Sequence, residues 1–181
     1  PVSKETYDKY NVKKGLRYKD GTGVMAGLTS IGEVTGYYID DGEKMPMHGH
    51  LRYRGYEISE LVAACSADKR FGFEEVVYLL LFGSLPNKEQ LDHFCTILSK
   101  CRDLPDDFIE DMIMKAPSPD IMNKLSRSVL ALYSYDNNPD DTSIENVLRQ
   151  CIHLIAQIPA IMVYAYQVKR RHCCKKSMYV D

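Results

Sequence analysis

GHLRYRGYEISEL, at residues 49–61, is the stretch that decides the fold. Its first half alternates apolar or aromatic side chains with arginines, and this period of two is typical of a β-strand. Gly55 ends the alternation, because glycine accepts the backbone conformation of a sharp turn with little steric strain. The pattern then becomes helical, so the stretch predicts a strand, a turn and a short helix over 59–64.

FEEVVYLLLFG, at residues 73–83, predicts the next helix. Its apolar side chains recur at i, i+3, i+4, i+7 and i+8, which indicates one buried stripe along an α-helix. Gly83 is expected to end this helix and Pro86 to prevent its continuation. The members of the predicted stripe are Phe73, Val76, Val77, Leu80 and Leu81.

A β-hairpin is predicted upstream of these helices. Residues 34–39 and 51–56 have the composition of strands, and Asp40-Asp41-Gly42 has the composition of a turn. Pro46 and Gly49 indicate an irregular connection between the two strands. Because two or three short strands do not form an independent sheet domain, we expect the hairpin to lie on the helices.

Capping residues and prolines mark the starts of the later helices. The longest predicted helix, 144–170, has apolar side chains on nearly all sides, which is typical of a helix buried in a larger assembly. Pro159 removes an amide donor inside it, so we expect a kink there. The loop over 136–141 is expected to be too polar to pack. The predicted helix starts are Asn87 with Gln90, Pro105, Ser118 with Pro119, and Thr142 with Glu145.

The composition is that of an ordinary globular protein, with 45% hydrophobic and 27% charged residues. A net charge of −2 favours neither nucleic acid nor an anionic membrane. No apolar run approaches about 20 residues, so we expect no membrane span, and the first residues do not form a signal peptide. The six cysteines lack the repeated spacing of a disulfide framework, which favours a reducing cytoplasm.

Two groups of side chains have the residue types of a metal site. His48 and His50 share one face of a strand, but no further His or Cys lies near them in sequence, so surface histidines are the favoured interpretation. Cys173 and Cys174 follow His172, and an exposed basic helix end is favoured there. We therefore predict no metal site.

Three other features of the sequence have residue types that occur in functional sites. The glycines of residues 21–27 do not form a phosphate-binding loop, because neither the preceding strand nor the following helix is present. His153 lies in the longest predicted helix and is expected to be a hydrogen-bonded core residue. Arg52 and Arg54 are expected to pin the hairpin to the helices.

Several runs in this order resemble the N-terminal part of the citrate synthase family, and the resemblance covers essentially the whole chain. They are Leu51-Arg52-Tyr53-Arg54-Gly55-Tyr56-Glu57-Ile58, Phe73-Glu74-Glu75-Val76, and Leu79-Leu80-Leu81-Phe82-Gly83-Ser84-Leu85-Pro86, preceded by Gly27-Leu28-Thr29 and Tyr38-Ile39-Asp40. The resemblance implies a mainly α fold, a partial helical large domain with a small N-terminal β-hairpin. It also implies a division into an N-terminal arm over 1–26 and the large-domain portion over 27–181.

The resemblance implies an acyltransferase of the tricarboxylic acid cycle, a citrate or 2-methylcitrate synthase, as the parent protein. That family condenses acetyl-CoA, as substrate, with oxaloacetate, using an aspartate base and two histidines and no metal or other cofactor. None of the family's catalytic motifs falls in this chain, so we expect no catalytic or cofactor-binding residue here and an inactive fragment. The helices near 119–134 and 143–170 are expected to form a homodimer interface.

An alternative from a different class is a non-catalytic helical module that uses the same scaffold for dimerisation or interaction. A stop codon directly after Asp181 would support this alternative. A reading frame that continues into segments with the family's His and Asp residues would exclude it.

Overall fold

The computed structural model describes residue 5 and residues 15–18, 22–24 and 29–177. The chain divides into two compact units, Pro1–Leu85 and Pro86–Asp181. Helices dominate, with one small antiparallel sheet near the N-terminus, which confirms the predicted mainly α fold class. The predicted division into an arm over 1–26 and a domain over 27–181 stays a prediction, because much of the arm lies outside the described residues.

The sheet of the first unit has three strands in the order β1-β2-β3, with β1 at Gly32–Asp40, β2 at Glu43–Tyr53 and β3 at Tyr56–Glu57. Both connections are two-residue turns in which both residues have positive φ. These angles are 46° and 83° at Asp41 and Gly42, and 50° and 90° at Arg54 and Gly55. Such turns match the right-handed twist of paired strands, which explains why an Asp-Gly and an Arg-Gly pair sit there.

The predicted irregular connection at Pro46 and Gly49 is instead a bulge inside β2. Thr35 pairs with His50, but Tyr37 pairs with Pro46, so residues 47–49 stand opposite Gly36 alone. A bulge allows a proline within a strand, because the ladder hydrogen bonds are already interrupted there. The strand is therefore longer than predicted.

Two helices complete the first unit, α1 at Ile58–Ala67 and α2 at Phe73–Phe82. Gly83 ends α2 as predicted, at φ 88°, and its N–H donates to the carbonyl of Leu79. The predicted stripe needs correction: Phe73 is 56% exposed, and the fully buried side chain of α2 is that of Leu79. Phe73 is exposed because it is the first residue of the helix.

The second unit contains α3 at Lys88–Lys100, a π-helix at Ile109–Met114, α4 at Ile121–Leu132, a 3-10 helix at Tyr133–Tyr135, and α5 at Ile144–Cys174. Its core lies where the π-helix meets α4 and α5, and its buried members are Phe108, Ile113, Ile161, Ala165 and Val168. A helix was predicted after Pro105, but its wide π hydrogen-bonding pattern was not.

The helix caps of the second unit confirm one prediction and correct two. Asn87 and Gln90 form the predicted reciprocal capping box at the start of α3. Asp120, rather than Ser118, caps α4 by accepting from the N–H of Asn123. Ser143, rather than Thr142, caps α5 by accepting from the N–H of Asn146. In both corrected cases a second suitable residue lies within two positions, and the sequence pattern does not distinguish them.

Helix α5 runs through Pro159 without ending, and the predicted kink stays a prediction. Its central residues 150–168 include no Asp, Glu, Lys or Arg. By length and composition, α5 is the one helix of the described residues that could cross a bilayer. This corrects the expectation that no apolar run approaches the length of a membrane span. Core helices of soluble proteins share this composition, so the pattern alone does not separate the two cases.

Candidate functional site

An ion-pair network covers one face of the hairpin. The rings of His48 and His50 lie 5.6 Å apart between centroids, and His50 Nδ1 lies 3.3 Å from Glu57 Oε1. The same oxygen accepts a hydrogen bond from Arg52 Nε at 2.8 Å. This hydrogen bond, then the charge of Glu57 and that of Glu33, raise the pKa of Arg52 above its ordinary value. Because these groups are largely exposed, solvent screens the network, and it is a surface feature of the sheet.

The described residues contain no group of three or more His, Cys, Asp or Glu side chains arranged to hold a metal ion. His48 and His50 are thus a pair without a third ligand in that part of the chain. Cys173 and Cys174 are both exposed at the end of α5.

Arg54 connects the hairpin to α2. Its Nη2 donates to the carbonyl of Leu80 at 2.9 Å, near the end of the helix where carbonyls lack intrahelical donors. The predicted pinning role is therefore confirmed for Arg54. It is wrong for Arg52, which pairs with Glu33 and Glu57 within the sheet. The two arginines differ because Arg52 lies in strand β2, whereas Arg54 lies in the turn after it. Residues two apart share a face of the sheet only while both are in the strand.

A second polar network anchors the loop over 136–141 to the start of α5, which corrects the expectation that this loop is too polar to pack. Arg149 Nη2 donates to both carboxylate oxygens of Asp136, at 2.6 and 2.8 Å. The backbone N–H of Asn138, then the side chain of Gln150, with Arg149 adding to them, hold the pKa of Asp136 at about 2. Asn146 donates from its amide to two loop carbonyls.

Lys124 is the buried cation of the second unit, with 3% of its surface exposed. Its Nζ donates to the carbonyl of Met112 and, at 2.9 Å, to that of Ala116. Burial lowers the pKa of this lysine, and the charge of Arg127 lowers it further. Sequence reasoning missed Lys124 because a lysine in an amphipathic helix is ordinarily a surface residue. The structure shows that Lys124 and Ser128, one turn apart on α4, are both buried. Nothing in the sequence marks this pair except its helical spacing.

These contacts cap helices, anchor loops and join the hairpin to α2. His153 is half-buried in α5, in keeping with a packed residue. Near it, Gln157 donates to the carbonyl of Asp103 at 2.9 Å and ties α5 to the segment before the π-helix. These contacts hold the helical scaffold together, and the prediction that the chain holds no catalytic residue stays a prediction.

Comparison with known proteins identifies the scaffold. Residues 17–181 match the family model described as citrate synthase, C-terminal domain. The chain is 35% identical over 161 residues to 2-methylcitrate synthase 1 of Corynebacterium glutamicum, which covers 88% of the chain and 36% of that protein. It is 31% identical over 137 residues to citrate synthase of Saccharolobus solfataricus, which covers 76% of the chain and 33% of that protein.

Solved structures agree. Citrate synthase from Pyrobaculum aerophilum matches with a TM-score of 0.61 and 28% identity, over 82% of the chain and 35% of that protein. The chain thus spans about a third of the length of the relatives it matches. Its predicted place in the N-terminal part of the whole protein stays a prediction. With a family match over nearly its entire length, the chain belongs to the citrate synthase family.

Proposed function

We propose that this chain is part of the helical scaffold of an enzyme that condenses acetyl-CoA with oxaloacetate to give citrate and CoA. The observation that carries the proposal is the family match over residues 17–181. The relatives include both citrate synthases and 2-methylcitrate synthases, so acetyl-CoA and propionyl-CoA are the alternative acyl substrates within this proposal. A protein of the same fold, citrate synthase from Thermoplasma acidophilum, was solved with carboxymethyl coenzyme A and oxaloacetate.

We propose further that the catalytic side chains lie outside this chain. The condensation requires a base that removes a proton from the thioester methyl group and donors that stabilise the enolate oxygen. Among the described histidines, His50 is beside Glu57 on the exposed hairpin and His153 lies in the packed α5. His50 has both Glu57 and His48 beside it, but on the partly exposed surface of the sheet and not in a recess, which supports the proposal.

The test is turnover by this chain. Purified chain is mixed with acetyl-CoA and oxaloacetate, and cleavage of the thioester is followed by its ultraviolet absorbance. Thiol reagents are avoided because cysteine thiols of the chain, such as those of the exposed Cys173 and Cys174, would react with them. We expect no turnover above the protein-free rate. Turnover that scales with protein concentration would contradict the proposed absence of catalytic residues.

The parent activity has a separate test in the gene. A reading frame that continues beyond codon 181 into segments with the family's His and Asp residues supports the synthase, and the encoded full-length protein should then produce citrate. A stop codon directly after Asp181 would favour the non-catalytic interaction module instead. A cytoplasmic location is part of the proposal and rests on the cysteine spacing.

We also propose that the chain forms a homodimer through α4 and α5. Support comes from large apolar side chains that these helices leave exposed within the described structure. Leu130 is 74% exposed on α4 and Tyr166 is 53% exposed on α5. Apolar patches on paired helices mark protein interfaces. Further exposed apolar residues of the two helices are Met122, Ile144, Val147, Met162 and Val163.

A further inference from the structure

The segment before α4 contains a π-helix, which is rare and occurs mostly as single turns at functional positions. Two backbone hydrogen bonds show where the helix widens. At its start, the N–H of Asp111 donates to the carbonyl of Asp107, four residues back, at 2.9 Å. At its end, the N–H of Lys115 donates to the carbonyl of Glu110, five residues back, at 3.0 Å. The segment therefore changes from an α to a π register within one turn.

Packing holds both the residue before the π-helix and the second-to-last residue of that helix. Phe108 and Ile113 are both fully buried and belong to the core that contains Ile161 of α5. The N–H of Phe108 donates to the carbonyl of Pro105 at 3.1 Å. These contacts fix where the helix begins and which side faces the core.

The end of the π-helix is held by Lys124. Its buried ammonium donates to the carbonyls of Met112 and Ala116. In a continuous α-helix the carbonyl of Met112 would instead accept from the N–H of Ala116, and that of Asp111 would accept from the N–H of Lys115. In the π register the donor would be the N–H of residue 117, which is a proline, so Lys124 supplies the donor that the carbonyl of Met112 otherwise lacks. Pro117 follows directly and, having no N–H, prevents either helix from extending further.

We infer that Lys124 is a positioning residue that selects the π register of the segment 109–116 over an α register of the same residues. The segment is a two-register element anchored at Phe108, and the ammonium of Lys124 stabilises the wide form by binding the carbonyls at its end. Because Lys124 belongs to α4, the register of the π-helix and the seating of α4 are linked.

The alternative is that Lys124 only fills space in the core. A buried lysine is unfavourable unless its ammonium is bound, which argues against a role in filling space alone. A second lysine, Lys115, belongs to the segment and serves as a comparison. Lys115 forms an exposed pair with Asp111 on the surface of the same segment. Its replacement removes a charge from the segment and leaves the carbonyls of Met112 and Ala116 bound to Lys124.

The test reads the acceptor of the Lys115 amide directly, by NMR scalar couplings across backbone hydrogen bonds in labelled protein. The unchanged chain should show a correlation from the amide of residue 115 to the carbonyl carbon of Glu110. In Lys124→Met this correlation should be lost and replaced by one to Asp111, with a new one from the amide of Ala116 to Met112. Lys115→Met, the matched control, should retain the Glu110 correlation.

Lys124→Arg keeps a buried cation with several donors, so we expect it to retain the Glu110 correlation and rescue the π register. A Lys124→Met protein that folds and keeps Glu110 as acceptor would overturn the inference. If that variant does not fold, the unchanged chain still tests the inference. A correlation from the amide of Ala116 to the carbonyl carbon of Met112 in the unchanged chain would show that the α register forms although Lys124 is present. A change of acceptor in Lys115→Met would also overturn the inference.

Discussion

At the scale of single residues, Arg54 joins the hairpin to α2 in the first unit. It is half-buried, lies in a two-residue turn at φ 50°, and donates to the carbonyl of Leu80. We expect Arg54→Ala to lower the free energy of unfolding by about 1–3 kcal/mol, because a hydrogen bond from a charged donor is lost at a helix end. Urea denaturation followed by circular dichroism measures the change.

Arg52→Ala is the control for this prediction, since Arg52 is two residues away and pairs with Glu33 and Glu57 at the surface. Solvent screens exposed ion pairs, so its loss should be clearly smaller. Equal losses in the two variants would show that the bond between Arg54 and Leu80 is not what joins the hairpin to α2.

Asp136 gives a prediction about pH. Its folded-state pKa of about 2 lies below the ordinary value of 3.8. A depressed carboxyl pKa contributes stability that is fully present above pH 3.8 and is lost as the pH falls towards 2. We therefore expect the midpoint of thermal unfolding to fall between pH 4 and 2, and this part of the fall should be absent in Asp136→Asn.

Asp92→Asn, on the exposed surface of α3, serves as the comparison for Asp136. It should preserve the acid-induced fall of the unchanged chain. If Asp136→Asn and the unchanged chain lose stability in parallel from pH 4 to pH 2, the hydrogen bonds from Asn138, Gln150 and Arg149 do not stabilise the carboxylate as described.

At the scale of elements, the start of α5 tests which residue is the cap. The hydroxyl of Ser143 accepts from the N–H of Asn146 at 3.3 Å, whereas Thr142 lies one residue before the cap. Ser143→Ala should lower the free energy of unfolding by about 1 kcal/mol, because one of the orphan N–H groups at the helix start loses its acceptor. Thr142→Ala should be nearly neutral. Chemical denaturation of both variants measures the two changes. A larger loss of unfolding free energy in Thr142→Ala would show that Thr142 is the cap, as the sequence predicted.

The same elements show what the sequence can predict. The capping box at Asn87 and the glycine stop at Gly83 were predicted correctly, because each depends on a chemical property of one or two residues. The caps at Asp120 and Ser143 were missed because a second suitable residue stands nearby. Which of the two caps the helix depends on where the chain turns, and tertiary contacts decide that.

The buried face of α4 illustrates a deeper difficulty. Leu125 packs against the core, as expected of an apolar residue in an amphipathic helix, yet the neighbouring Lys124 and Ser128 are buried more completely. A lysine becomes an inner residue only if unpaired carbonyls lie opposite it, as those of Met112 and Ala116 do. Those carbonyls are unpaired because the helix before them has a π register, which no periodicity in the sequence encodes.

At the scale of the whole molecule, family membership could be predicted from two motif runs in the first unit. The family match extends over the second unit as well, where the motifs are weaker but the helices are long. For the site, the sequence predicts only an absence of catalytic residues, and that prediction stays untested until turnover by the chain is measured. The proposal for the whole molecule is a helical scaffold that pairs with a second copy through α4 and α5.

The mass of the chain in solution tests that account most directly. Light scattering over a range of concentrations should give twice the chain mass of 20.7 kDa. Leu130→Glu places a charge on the exposed apolar face of α4 and should shift the mass to that of one chain at micromolar concentration. Phe71→Glu, at a residue 98% exposed in the first unit, should leave the dimer unchanged. A monomer at every concentration, or a dimer that Leu130→Glu does not weaken, would contradict a dimer formed through α4 and α5.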